Sequence, residues 1–338
     1  MESYAGIDLH SSNNYTGIMD KGNKRLFGKR LPNRLDAVLS ALEPFKETLE
    51  GVVVESTYNW YWLVDGLQDH GFKVHLANPS AIKQYEGLKH TDDKSDAFWL
   101  AHLKRLNILP EGYIYPKEER PVRDILRRRL LFVRHRTAHI LSLQSAVTRN
   151  LNYKMSSREI KNLNESDAEK LFDDPFLTLA ARNSISVIEF LGERIQEIEK
   201  AAKSHIKVKP EFKNLLSMPG IGDILGMTIM LEVGDIGRFH KVSHYSSYCR
   251  CVKSERYSNK KKKGEGNRKN GNKYLSWAYV EAANFAIRHY PEAQSFYQRK
   301  KAKTNGIVAI KALSNKLARA SYYVMRDKVP YDPGKLFR

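Results

Sequence analysis

The spacing of apolar residues along the first hundred positions alternates between strand and helix periods. Tyr4-Ala-Gly-Ile-Asp-Leu9 reads as a strand. Tyr15-Thr-Gly-Ile-Met19 and Arg25-Leu-Phe-Gly-Lys29 follow at short intervals, with Asp20-Lys-Gly-Asn23 as a turn, and predict a three-strand antiparallel meander. From residue 33 to 49, Leu35, Val38, Leu39, Leu42 and Phe45 keep helical spacing, and Asn33 stands where an N-cap belongs. Gly51-Val-Val-Val-Glu-Ser56 is a continuous apolar run, as in a buried central strand. A helix over 59–70, a strand over 72–77, a short helix after Pro79 and a longer one over 93–106 complete the block.

Farther along, helical spacing dominates. Residues 118–151 predict one long helix, in which Leu130, Val133, Thr137, Ile140, Gln144, Val147 and Leu151 follow heptad spacing. A second stripe runs through Ile188, Leu191, Ile195, Ile198 and Ala202. Two such helices predict a coiled-coil arm, within one chain or between subunits, with the polar stretch 152–174 as linker or elbow. The rest is mainly helical, with apolar spacing at 274–286 and 307–324. The expected division is 1–116, 117–208 and 209–338. Three meander strands followed by alternating helix and strand is the element order of a ribonuclease-H-like α/β domain, which fits the first segment.

Composition changes this picture through the placement of charge. The net charge is +19, yet residues 1–116 hold 13 Lys and Arg against 15 Asp and Glu, and the remainder holds 44 against 23. A near-neutral head on a strongly basic body points to a polyanion partner, nucleic acid first. No apolar run is long enough for a membrane span, and the N-terminus does not read as a signal peptide, so a cytoplasmic protein with no membrane partner is expected. Cys249 and Cys251 read as ordinary half-buried thiols.

Acidic residues supply the candidate chemistry. Asp8 lies between Ile7 and Leu9 on a core strand, where a charge is costly unless paired or bound to a metal. Glu55 ends the Val52-Val-Val54 run at the carboxyl end of a central strand. Asp93 and Asp96, spaced i,i+3, share a helix face, although Asp92 can replace Asp93 in this role and the whole cluster can also be read as a helix cap. Converging carboxylates call for a hard cation, Mg²⁺ or Mn²⁺, of the kind that serves phosphoryl transfer.

In the basic region, Met218-Pro-Gly-Ile-Gly222 resembles a helix-hairpin-helix turn whose Gly220 and Gly222 let backbone amides approach a DNA phosphate. Residues 253–273 carry nine Lys and Arg against two Glu, including Lys260, Lys261, Lys262 and Lys263 and, farther on, Arg268 and Lys269. This stretch reads as a mobile loop that orders on nucleic acid, with Tyr248 and Tyr257 available to stack on bases. Ser258 stands at its entrance. A serine in a polar loop is ordinarily no more than that, and as a nucleophile it needs neighbouring cations or a metal-bound group to lower its hydroxyl pKa.

Together, Gly6-Ile-Asp8, Val-Val-Glu55, Thr91-Asp-x-Lys-x-Asp-Ala97, Met218-Pro-Gly-Ile-Gly222, Ile236-Gly-Arg-Phe239, the Ser258 loop and Lys269-Asn-Gly-Asn-Lys-Tyr-Leu275 resemble the DEDD transposases and Piv-type DNA invertases of bacterial insertion sequences. The resemblance spans nearly the whole chain. It implies a RuvC-like catalytic domain, a coiled-coil arm and a C-terminal transposase domain. It further implies a metal-binding tetrad of Asp8, Glu55, Asp93 and Asp96, and Ser258 as the residue forming a covalent phosphoserine link to DNA. Dimers assembling to tetramers, a composite site and a structured RNA that bridges donor and target DNA are further implications. The chain departs from the family pattern at Asn259, where glycine is usual, and at Cys249-Arg-Cys-Val-Lys253, where Gly-Leu-x-Pro is frequent, which keeps Ser254 as a runner-up nucleophile. A Holliday-junction-type endonuclease using water, and a non-catalytic nucleic-acid-binding protein, are the competing functional readings.

Overall fold

β1 (Ser3–Leu9), β2 (Asn13–Asp20) and β3 (Arg25–Pro32) form the expected meander, β1 pairing with β2 and β2 with β3. After α1 (Leu35–Leu42), β4 (Leu49–Glu55) returns parallel to β1, and β5 (Val74–Ala77), reached through α2 (Tyr61–Asp69), adds parallel to β4. The two-residue β6 (Glu111–Gly112), too short to show a period in the sequence, pairs antiparallel with β5. The order β3-β2-β1-β4-β5-β6 makes a mixed sheet consistent with a ribonuclease-H-like fold. This computed structural model describes residues 2–82, 92–206, 210–253, 255–265 and 270–337, in two units, Met1–Lys117 and Glu118–Arg338.

The sheet is covered on both faces. Ala5, Ile7, Leu9, Val52 and Val54 pack against Val38, Leu42, Leu63, Val64 and Leu67 of α1 and α2. The other face receives α4 (Asp93–Arg105), which follows α3 (Pro79–Ile82) in the order of elements. Gly6, Gly17 and Gly28 stand opposite one another across β1, β2 and β3 and form the seat for that helix. A Cβ on Gly6 would lie 2.0 Å from the Ala97 carbonyl oxygen, and one on Gly17 or Gly28 would meet the Phe98 ring at 3.1 Å. The helix therefore approaches the sheet at backbone distance. Asn33 does not cap α1. The cap residue is Arg34, without a side-chain bond, while Asn33 donates to the His10 carbonyl and accepts from Asn14.

In the second unit α5 (Arg120–Leu151) and α8 (Pro175–Ile206) pack against each other within the one chain. Arg129 joins Glu199 near one end and Val147 meets Ala181 and Ile185 near the other, so the pair is antiparallel. The buried stripe of α5 departs from the heptad reading: Leu143 fills the core beside Gln144, while Thr137 and Leu151 are exposed. The stretch expected to be a polar elbow forms α6 (Ser157–Lys161) and α7 (Ala168–Leu171). It buries Met155, Ile160, Ala168 and Phe172 against the helix pair.

The remaining helices are α9 (Pro210–Leu216), α10 (Asp223–Val233), α11 (Val242–Tyr248), α12 (Lys273–His289), α13 (Pro291–Lys303), α14 (Gly306–Arg326) and α15 (Pro333–Leu336). Cys249 and Cys251 are fully buried free thiols rather than half-buried ones, and burial pushes the Cys251 thiol up to about 12. Between α11 and α12, part of the lysine-rich stretch expected to be a loop is a β-hairpin, β7 (Glu255–Ser258) and β8 (Lys261–Glu265). No helix among the described residues is long and apolar enough to cross a membrane.

Candidate functional site

Strand periodicity places the first two carboxylates. Side chains alternate faces, so Asp8 shares the face of Gly6, and Glu55 shares that of Val53, which packs with Leu100 of α4. Both therefore point toward the start of α4. Asp8 is only 3% exposed, and Glu55 is half-buried at the carboxyl end of β4. Burial, a hydrogen bond shared with Asp8 and the Asp8 charge push the Glu55 carboxyl up to about 7. Burial and the nearby Asp8 charge likewise raise the Asp96 carboxyl. Loss of solvent and the neighbouring negative charge thus act in the same direction on both carboxyls.

At the start of α4 the two neighbouring aspartates separate in role. Asp92 is exposed and caps the helix, its side chain accepting from the Ser95 amide at 2.6 Å. Asp93 turns to the cluster, where Arg30 Nη2 lies 2.5 Å from Oδ2 and His10 Nε2 lies 3.2 Å from Oδ1. The Arg30 guanidinium, and then His10, hold the Asp93 carboxyl below its ordinary range. His10 Nε2 also lies 3.1 Å from Asp8 Oδ2, and the two aspartates raise the His10 pKa despite its partial burial. His10 and Arg30 did not stand out in the sequence. His10 lies i,i+2 from Asp8, a detectable local signal, whereas Arg30 reaches the site only through the β2–β3 pairing.

A divalent cation fits this donor set. Asp8, His10 and Asp93 each offer one ligand atom within 4.8 Å of the others, and two further carboxyls, Glu55 and Asp96, crowd Asp8. Burial raises the Glu55 pKa most, and the Asp8 and Asp96 charges add to it, so a cation here would relieve the part due to the neighbouring carboxylates.

In the second unit Ser258 is the last residue of β7, exposed, with Lys261 directly across the hairpin. Asn259 and Lys260 have φ of 48° and 60°, the left-handed pair that a two-residue hairpin turn requires. Asn259 thus takes up the left-handed conformation at the position where glycine is usual in the family the sequence resembles. Lys262 is tied across the hairpin to Glu255 at 2.9 Å, while Lys260, Lys261 and Lys263 are exposed. Arg268, Lys269 and Ser254 lie outside the described residues, as does the side chain of Tyr257. Tyr248 packs its ring against Phe239 and Arg238.

The hairpin leaves the helical body through a closed neck. Arg250 Nε donates to the Asn270 and Gly271 carbonyls, and the Asn272 amide donates to Tyr248 O at 2.6 Å. The Asn272 side chain caps α12 and donates to Glu232, which is 1% exposed and held by two Arg127 bonds of 2.5 and 2.7 Å. Gly220 and Gly222 divide likewise. A Cβ on Gly220 (φ 74°) would lie 2.1 Å from the Ala282 carbonyl oxygen of α12, so its smallness serves internal packing, whereas Gly222 opens α10 with free space around it.

A family model described as a transposase, of the DEDD type of IS110, matches residues 5–151, and a second, the transposase IS116/IS110/IS902 family, matches residues 212–298. The transposase for insertion sequence element IS1111A of Coxiella burnetii is 23% identical over 236 residues, covering 68% of this chain and 63% of that protein. A protein of Sinorhizobium fredii named as a transposase is 23% identical over 293 residues, covering 83% of this chain and 71% of its own length. The 43.6 kDa protein of insertion element IS110 from Streptomyces coelicolor is 22% identical over 181 residues, covering 49% of this chain and 45% of its own. The two family models share out more than half of the chain in the order of its two units, one over the carboxylate cluster and one over the serine hairpin. On that evidence the chain belongs to the IS110 family of DEDD transposases.

Proposed function

We propose that the chain is a Mg²⁺- or Mn²⁺-dependent DNA recombinase that cuts and rejoins insertion-sequence DNA through a serine-linked intermediate. The observation that carries this reading is the meeting of Asp8, Glu55 and Asp96 beneath the start of α4, with Asp93 beside them. In this reading Asp8, Glu55, Asp93 and Asp96 hold the cation, His10 and Arg30 orient Asp93, and Asp92 serves the helix end. Bound there, the ion supplies charge stabilisation at the reacting phosphate. Ser258 is the nucleophile: Oγ loses its proton as it bonds phosphorus, and a DNA hydroxyl departs with a proton. The reverse step on a second strand restores the serine. Lys261, across from Ser258, favours the ionised hydroxyl and pairs with the phosphate.

The three-part organisation belongs to this proposal as well, with a RuvC-like domain at 1–116, an arm at 117–208 and a transposase domain at 209–338. So do phosphate contacts from Lys260–Lys263, Arg268, Lys269 and the Gly220–Gly222 turn at its open Gly222 end, and action on chromosomal DNA in the cytoplasm. The excess of 44 Lys and Arg over 23 Asp and Glu after residue 116 supports a polyanion partner. It accommodates a bridging RNA beside DNA, in a dimer that assembles to a tetramer.

The test incubates protein, Mg²⁺ and junction DNA, with and without RNA transcribed from the element, and looks for a covalent protein–DNA adduct. Loss of the adduct in both Ser258→Ala and Asp8→Asn is the expected result. Cleavage that survives Ser258→Ala but not Asp8→Asn would replace the proposal with a water-using endonuclease. No metal-dependent reaction in any arm would leave a binding protein.

A further inference from the structure

A groove of about 490 Å³ lies between the outer face of α14 and the segment that follows it. Its volume falls in the range of about 300–1,000 Å³ typical of small-ligand sites. Lys316, Arg319 and Lys335 bring three cations to its lining, against Asp327 and Asp332. The carboxylates are already engaged: Arg326 binds Asp327 through two bonds of 2.7 and 3.1 Å, and Asp332 caps α15 through the Gly334 amide. Lys316 donates to the Leu336 carbonyl, which leaves Arg319 exposed and without a hydrogen-bond or ion-pair partner among the described residues.

Two tyrosines complete the lining. Tyr323 is 42% exposed, with the Arg326 guanidinium 4.8 Å from its ring centre. Tyr331 is anchored by its backbone amide, which donates to Ser217 Oγ at 2.8 Å, but its hydroxyl is buried with no hydrogen-bond partner. That hydroxyl is closed to solvent, so Tyr331 serves the groove as part of its wall. A free guanidinium, a part-exposed tyrosine ring and an apolar wall that includes Val329 together suit a ligand that is at once anionic and flat.

We propose that this groove takes one unstacked nucleotide of a single-stranded nucleic acid, with its base against Tyr323 and its phosphate on Arg319. A base can enter only when it is out of a duplex, so the groove reads single strands, bulges or flipped bases and not paired DNA. The inference rests on the proposed nucleic-acid function, but it concerns residues outside both the carboxylate cluster and the serine hairpin.

The test uses the full chain and two short single-stranded oligonucleotides, one RNA carrying a 4-thiouridine and one DNA carrying a 4-thiothymidine, with ultraviolet crosslinking and peptide mapping. Crosslinks on the peptides that contain Tyr323 or Tyr331 are expected, and the stronger of the two arms identifies the natural source of the strand. Tyr323→Ala, at an exposed position, should weaken single-strand binding roughly 5- to 100-fold, the worth of one stacked base. Arg319→Ala should weaken it less, and neither should alter affinity for duplex DNA. Crosslinks confined to the Lys260–Lys263 hairpin, or unchanged single-strand affinity in Tyr323→Ala, would overturn the nucleotide groove while leaving the recombinase reading intact. Failure of the wild-type chain to bind either oligonucleotide or duplex DNA would sink both.

Discussion

Replacing Asp8 with asparagine should stabilise the metal-free protein at alkaline pH even as it removes a metal ligand. Glu55 holds its proton up to about 7 in the fold, against an ordinary 4.5, because it is half-buried and faces Asp8. Its folded pKa lies above the unfolded one. Its contribution is therefore fully present below about pH 4.5 and is lost as pH rises through about 7. Each tenfold change in proton affinity is worth about 1.4 kcal/mol, which sets a ceiling near 3 kcal/mol on the loss. Glu55 is only half-buried, and solvent screening brings the figure to about 1–2 kcal/mol. Asparagine removes the opposing charge but not the burial, which is the larger cause, so the variant should recover part of this at about pH 8 and little at about pH 5. In a unit of this size that is a rise in Tm of roughly 2–8 °C, readable by calorimetry with a chelator present. Excess Mg²⁺ should raise the wild-type Tm at about pH 8 and barely move the variant. If the variant gains nothing at alkaline pH, or gains equally at both pH values, the account of a charge-strained carboxylate cluster is wrong.

Other perturbations probe the scaffold. Asp92→Ala should lower the Tm through the lost helix cap yet keep the Mg²⁺-induced rise in Tm, which Asp93→Asn should diminish; the opposite pattern would make Asp92 the third carboxylate. Gly6→Ala places a methyl 2.0 Å from the Ala97 carbonyl oxygen and should cost about 3 kcal/mol or more by urea denaturation, with the Mg²⁺ response lost as α4 shifts. Glu232→Gln leaves Arg127 without its carboxylate and Asn272 with a weaker acceptor. A loss of about 3 kcal/mol in urea is expected, together with faster hydrogen exchange across the serine hairpin. Unchanged exchange there would show that the neck does not depend on Glu232.

The elements whose stability is local were legible. β1 and β4 are short apolar runs bounded by turn residues and the two long helices carry an apolar face near period 3.6, and either pattern can be read without knowing what covers it. Asp8 stood out as a charge inside an apolar run, and Glu55 as a charge that ends one. What failed to show was non-periodic or distant. Met155, Ile160, Ala168 and Phe172 follow no common spacing, so their stretch looked like a polar linker until the helix pair supplied a surface to bury them. The Ser258 hairpin is polar at nearly every position and is stabilised by its turn rather than by an apolar face, so it read as a loop.

Sequence alone determined which residue types are available: carboxylates at the ends of core strands, a basic body, and a chain order that fits one family. Only the tertiary structure decided their partners. The three glycines of the meander are scattered in the sequence at positions 6, 17 and 28. Strand register aligns them into a seat for α4. Because that helix sits at backbone distance, its first turn reaches Asp8 and Glu55, Asp93 turns inward to His10 and Arg30, and Asp92 is left to cap the helix. A one-residue ambiguity on paper thus became a choice made by packing, since only the register of sheet and helix fixes which carboxylate faces the others.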